Sequence, residues 1–243
     1  MLIDVHGHVG LHFNPGRYRD EDCESIYKRC GIVKGVFSSM VALCGELEKG
    51  NAGMFEFVNR YDFAYGYVYV TLKRVDDSLA EMKKYLGREK IAGLKFHANY
   101  SGTPIDDPRI TPVLDAFHPY GQVMLVHCDH VDPNAHPGRL DKIAGKYPNT
   151  KFIIAHHACG AWESACEVAG KHPNVYMDNV SSWTEYDIIA KIVDRIGEDK
   201  LMFGSDIGLF DPAPFIGSVL SSEVSQAVRD KILYQNAQRL FGF

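Results

Sequence analysis

Nothing in this chain concentrates positive charge. Its 26 lysines and arginines stand against 31 aspartates and glutamates, a net charge of -5, and no stretch gathers the basic residues together. The electrostatic footprint of a nucleic-acid binder is therefore missing, and a small-molecule partner is expected instead. No apolar run approaches the roughly 20 residues that span a bilayer. Asp4 and His6 also interrupt the opening run that a leader peptide would need, so no membrane partner is expected and the cytoplasm is the expected compartment. The six cysteines, Cys23, Cys30, Cys44, Cys128, Cys159 and Cys166, form no CxxC pair and no framework spacing. In 243 residues that points to free thiols in a reducing compartment. Neither GxGxxG nor GxxxxGK[ST] occurs, which removes the usual signatures of an open, doubly wound nucleotide-binding sheet.

What the chain does have is a period. Apolar runs at 2–9, 32–40, 63–70, 91–97, 122–128, 151–157, 175–180 and 201–206 alternate with helical patterns at 20–30, 43–61, 76–86, 111–117, 138–146, 161–170 and 187–196. The runs recur at roughly thirty residues, the length of one β-helix-β unit. Eight such units in 243 residues predict an α/β fold, a (β/α)8 TIM barrel forming one domain over 1–243, with the 46% hydrophobic content supplying its core. A stretch at 223–241 is expected to cover the barrel.

The chain also has eleven histidines, several at the ends of the apolar runs. His6 and His8 sit two apart in the first run, which in an extended strand puts both on one face, with Gly7 between them leaving room. The fourth run ends in Lys95 and His97, the fifth in His127, the sixth in His156 and His157, and the eighth in Asp206. A barrel builds its active site from the C-terminal ends of its strands, so these side chains converge on one axis. His6, His8, His127 and Asp206 make three imidazoles and a carboxylate, a set that suits one divalent transition metal, zinc first and manganese or iron as alternatives. A strand-six histidine, His156 or His157, would stand beside a metal-activated water. Lys95 would fix an anionic group of the substrate or, carboxylated, bridge two metals. His97, His130 in the loop after the fifth run and Arg17 in the loop after the first are candidate substrate contacts. Asp178 is a candidate partner for a ligand histidine.

At these residues the chain resembles a known family. Asp4-Val5-His6-Gly7-His8, Gly93-Leu94-Lys95-Phe96-His97, Leu125-Val126-His127, Ile154-Ala155-His156, Phe203-Gly204-Ser205-Asp206 and Asn236-Ala237-Gln238-Arg239-Leu240-Phe241 resemble, in this order, the amidohydrolase-related TIM-barrel metal-dependent hydrolases. The resemblance implies a metal held by His6, His8, His127 and Asp206. That family contains hydrolases, lactonases and nonoxidative decarboxylases similar to aminocarboxymuconate-semialdehyde decarboxylase. The chain departs from it in two ways: His156-His157-Ala158-Cys159-Gly160 replaces one histidine followed by paired glycines, and substrate-clamping loops are shorter. The expected function is hydrolysis of a small ester, lactone or amide, with decarboxylation of a small aromatic or unsaturated carboxylate as the alternative. A nuclease of the TatD type, which shares the N-terminal HxH, ranks lower because the fourth run offers Lys95 where that family looks for a bridging glutamate. A metal with a purely structural role is the non-catalytic alternative, and a homo-oligomer is compatible with the sequence.

Overall fold

The computed structural model describes residues 1–10, 18–181 and 185–243. Each apolar run becomes a strand: β1 Leu2–Val9, β2 Ile32–Ser39, β3 Ala64–Val70, β4 Ile91–His97, β5 Val123–His127, β6 Lys151–Ile154, β7 Val175–Asp178 and β8 Leu201–Met202. They pair in chain order, every neighbouring pair parallel, with helices in the connections. The ring closes between β1 and the residues just beyond β8. Val5 N–H donates to the Phe203 carbonyl (3.0 Å), Asp206 N–H to that of His6 (2.7 Å) and His8 N–H to that of Ile207 (2.8 Å). The architecture is a (β/α)8 barrel. Among the described residues no helix is long and apolar enough to cross a membrane.

The barrel interior is filled from below by alternate residues of the strands. Ile3, Val5, Val36, Tyr67, Leu125, Ile153 and Met202 form one buried cluster, joined by Ala237 and Leu240 of the helix Asn236–Phe241, which caps the N-terminal end. Each such side chain contributes roughly 1.5–3 kcal/mol by leaving water. Asn236 ties this helix to β8 by donating to the Leu201 carbonyl (2.8 Å).

Simple alternation would put His6 and His8 on the side opposite to Ile3 and Val5. The pairing of β1 with β2 shifts between Asp4 and Gly7, with Asp4 opposite Gly35 and Gly7 opposite Phe37, so β1 carries one extra residue there. A bulge of this kind re-aims the side chains that follow it. Val5 fills the floor while His6 and His8 reach the mouth. Gly7 is required at the bulge because a Cβ would stand 2.7 Å from the Phe37 ring.

Asp4, on the outer side of β1, holds the seam together. Its Oδ1 accepts the backbone N–H of His6 (3.0 Å) and of Ser205 (2.9 Å), and its Oδ2 accepts the Tyr27 hydroxyl (2.8 Å) and the Ser205 hydroxyl. Burial pushes this carboxyl up to about 6.

Two runs, the sixth and the eighth, stop furthest short of where their apolarity suggests. β8 stops at Met202 rather than Asp206, because the Gly204 and Ser205 amides are drawn to the side chains of Asn179 (3.0 Å) and Asp4 (2.9 Å), and Asp206 turns to φ 54°. β6 stops at Ile154, and residues 156–159 all take positive φ (60°, 35°, 61° and 36°) before Gly160.

Asp4→Ala removes the acceptor from four buried donors, and a loss of about 3–5 kcal/mol of unfolding free energy is expected, with Asp4→Asn losing less. Urea denaturation of the three proteins measures it; an Asp4→Ala midpoint equal to wild type would contradict the role of this carboxylate in the seam.

Candidate active site

The strand ends do converge. His8, Lys95, His97, His127, His156 and Asp206, with Met40, Leu43, Tyr100 and Leu209, line a cavity of about 90 Å³ at the C-terminal mouth, and His6 lies directly behind it. His6 and His8 reach one oxygen of Asp206 from two sides. Oδ1 is 2.8 Å from His8 Nε2 and 3.5 Å from His6 Nε2. Neither contact has hydrogen-bonding geometry, and that buried oxygen has no other partner.

The far nitrogens of both rings are already engaged. His6 Nδ1 donates to Asp178 Oδ2 (2.9 Å), and His8 Nδ1 bonds the Ser38 hydroxyl (3.0 Å). An imidazole whose Nδ1–H is spent on a carboxylate presents a bare lone pair at Nε2. Lone pairs of His6 and Asp206 thus face each other, the His6 nitrogen answered by the Lys95 ammonium (3.1 Å) and the Asp206 oxygen by no hydrogen-bond donor, an arrangement that a metal cation also satisfies. His156 approaches the second oxygen, its Nε2 3.5 Å from Asp206 Oδ2, and one donor atom each from His6, His156 and Asp206 lie within 4.8 Å of one another.

Gly204 allows this closeness. A Cβ there would stand 3.1 Å from His6 Cβ and 3.2 Å from Asp178. Asp178 serves twice, because its Oδ1 also accepts the backbone N–H of His156 (2.7 Å) at the entry to the left-handed turn.

The charges are set by burial. The Lys95 side chain is 1% exposed, its Nζ donates to His6 Nε2 (3.1 Å), and among the described residues it makes no ion pair. Burial pushes its ammonium down to about 8. Burial, and then the nearby Lys95, holds His6 well below the usual imidazole value. Burial pushes the Asp178 carboxyl up to about 7. It would raise Asp206 too, but the imidazoles of His6 and His8 hold that carboxyl well below its usual range and keep it ionised.

The pair of adjacent histidines is resolved by the turn that carries them. His156 faces the cavity, its ring 4.8 Å from those of His6 and His127. His157 is buried outside the cavity lining, its Nδ1 without a hydrogen-bond partner. His127 lies in the wall with its Nε2 on Asp129 Oδ2 (3.0 Å) and its ring stacked at 3.7 Å on that of His97. His97 lines the cavity and keeps a buried Nδ1 without a partner. His130 is exposed, bonds the Cys159 carbonyl through Nδ1 and does not line the cavity. Arg17 lies outside the described residues. Sequence reading passed over Ser38 and Asp129. The signal for Asp129 was present, as an acid two residues beyond a strand-end histidine.

His157 makes a pH effect separable from the metal site. Burial pushes its imidazole down to about 4, so the folded chain refuses a proton that the unfolded chain takes up near pH 6.5. Its contribution to stability is complete above pH 6.5 and is lost as the pH falls from there toward 4. The drop in Tm between pH 7.5 and pH 5 is therefore expected to be smaller in metal-free His157→Gln than in wild type; an equal drop would contradict a buried, neutral His157.

The sequence profile of the family described as amidohydrolase matches residues 3–243. No curated protein sequence matches the chain. Among solved structures it is similar to 2,6-dihydroxybenzoate decarboxylase bound to 2,6-dihydroxybenzoate, at TM-score 0.78 and 14% identity, covering 100% of this chain and 99% of that one. It is similar to a putative amidohydrolase from Staphylococcus aureus, at TM-score 0.79 and 12% identity, covering 100% and 99%. It is also similar to a dihydroxybenzoic acid decarboxylase from Polaromonas with bound manganese and the inhibitor 2-nitroresorcinol, at TM-score 0.77 and 16% identity, covering 99% and 96%. At such identities these likenesses speak to the fold, whereas the profile spans nearly every residue from the first strand to the last. This chain belongs to the amidohydrolase family.

Proposed function

We propose that this protein is a metal-dependent decarboxylase of a small aromatic or unsaturated carboxylate. The observation that carries the reading is Lys95, a buried cation on the cavity wall with no ion pair among the described residues. A buried ammonium is costly unless an anion answers it, and a substrate carboxylate is the anion a closed pocket can admit. The substrates and inhibitor named for the two decarboxylases above, small hydroxylated or nitrated aromatics, support the same class.

The donors fit a divalent ion such as zinc or manganese, which His6, His8 and Asp206 would hold with His127 completing the set. When bound, the metal would supply positive charge that orients and polarises substrate oxygens. Lys95 binds the carboxylate and sets the ring against the cavity wall. Met40, Leu43 and Leu209 surround the substrate with apolar surface, which excludes water and favours loss of the charged group. As the carbon–carbon bond breaks, its electron pair stays on the ring carbon and carbon dioxide leaves. His156 delivers a proton to that carbon. Ionised Asp206, 3.5 Å from His156 Nε2, stabilises the imidazolium before the transfer.

Hydrolysis of a small ester, lactone or amide, the reading first drawn from the sequence, is the second. The ionised Asp206 beside His156 favours it, because that pair could also take a proton from water.

Purified protein is expected to carry about one equivalent of transition metal that His6→Ala and Asp206→Ala lose. With 2,6-dihydroxybenzoate and related acids as probes, carbon dioxide release without incorporation of solvent ¹⁸O marks decarboxylation, whereas label in the product of an ester or lactone marks hydrolysis. Lys95→Met should retain the metal and raise KM for the acid about 10–100-fold, the worth of one charge-assisted hydrogen bond. Full activity in metal-free protein would overturn the mechanism.

A further inference from the structure

β4 and β5 end in register, with His97 paired to His127. Two residues further on, the Asn99 side-chain amide donates to Asp129 Oδ2 (2.9 Å). The tripeptides 97–99 and 127–129 therefore run side by side, ring stacked on ring at 3.7 Å and 10° and amide bonded to carboxylate. Asp129 is buried and its other oxygen is equally committed, Oδ1 accepting the backbone N–H of Val131 (2.8 Å) and of Asp132 (2.7 Å). Its fourth contact is His127 Nε2, 3.0 Å from Oδ2.

A carboxylate offers only lone pairs, so the group at that fourth contact must bring the hydrogen. A neutral imidazole carries one N–H. If Nε2 holds it, Nδ1 is the bare nitrogen. His6 is arranged the other way round, its Nδ1–H spent on Asp178 and its Nε2 bare.

We propose that Asp129 is a positioning residue that fixes His127 as its Nε2–H tautomer, so that Nδ1 is the atom His127 offers to a metal. The ring cannot turn to offer Nε2 without breaking the Asp129 bond. The second half of the proposal rests on the metal reading above; the tautomer does not, since it is a property of the metal-free protein.

The test is ¹⁵N-resolved NMR of the histidine side chains in metal-free protein, with His127→Gln to assign the signals. Wild type is expected to show Nε2–H at His127. Asp129→Asn keeps the shape but turns an amide N–H₂ toward the ring, and a shift of His127 to Nδ1–H is expected. Titration with zinc chloride should then give a 10–100-fold weaker Kd than wild type, the usual cost of losing a ligand's orienting partner. Asn99→Ala removes one donor and leaves the carboxylate, so His127 should stay Nε2–H; this variant and wild type decide the matter if Asp129→Asn does not fold. Nδ1–H in wild type, or an unchanged tautomer and zinc Kd in folded Asp129→Asn, would overturn the proposal. Wild type that shows Nε2–H yet binds no zinc would overturn the metal reading and its Nδ1 consequence, while the lock on the ring stands.

Discussion

A barrel of parallel strands must be sewn shut where its first strand meets its last, and here the thread is one buried carboxylate. Asp4 holds the amides of His6 and Ser205 on one oxygen, and two hydroxyls on the other. Both ends of the chain's chemistry lie within two residues of that stitch, His6 on one side and Asp206 on the other. The seam that completes the fold is thus also what brings together donors 200 residues apart in sequence. Stability and site cannot be separated there, because the hydrogen bonds that close the ring set the distance between imidazole and carboxylate.

The same economy appears in the electrostatics. The barrel mouth buries imidazoles, an ammonium and two carboxylates within a few ångströms, and the carboxylates are tolerated because neighbouring donors and imidazoles answer them. Asp178 is shared between the ring of His6 and the backbone of His156, and Asp206 is contested by three histidines. Lys95 makes no ion pair among the described residues, and His97 and His156 keep Nδ1 atoms without a hydrogen-bond partner; all three line the cavity. Their unmet needs fit the small carboxylate proposed above as the substrate.

Much of this was legible in the sequence, because an apolar run ending in a polar residue is a local signal. All eight runs became strands, and His6, His8, Lys95, His97, His127, His156 and Asp206 came from recognising their last residues. What could not be read was whatever depends on a neighbouring strand. The extra residue in β1 shows only against β2, so spacing put His6 and His8 on one face without revealing how Ile3 and Val5 could share it. The choice between His156 and His157 was undecidable from alternation, since the chain leaves extended geometry after Ile154. The early end of β8 follows from side chains of Asp4 and Asn179, both far away in sequence. Asp178 was legible as a partner for a ligand histidine, but that the histidine is His6 depends on strands far apart in sequence.

The left-handed turn after β6 has a consequence for how this protein fails. Four residues in succession, none of them glycine, hold a backbone twist that each would rather leave, at about 1–2 kcal/mol apiece. That tension is held by the Asp178 carboxylate at the turn's entrance. When warming or denaturant first loosens the barrel, this is the segment with most to gain by springing back, and His156 goes with it. Catalytic competence should therefore disappear while the circular dichroism of strands and helices is still intact.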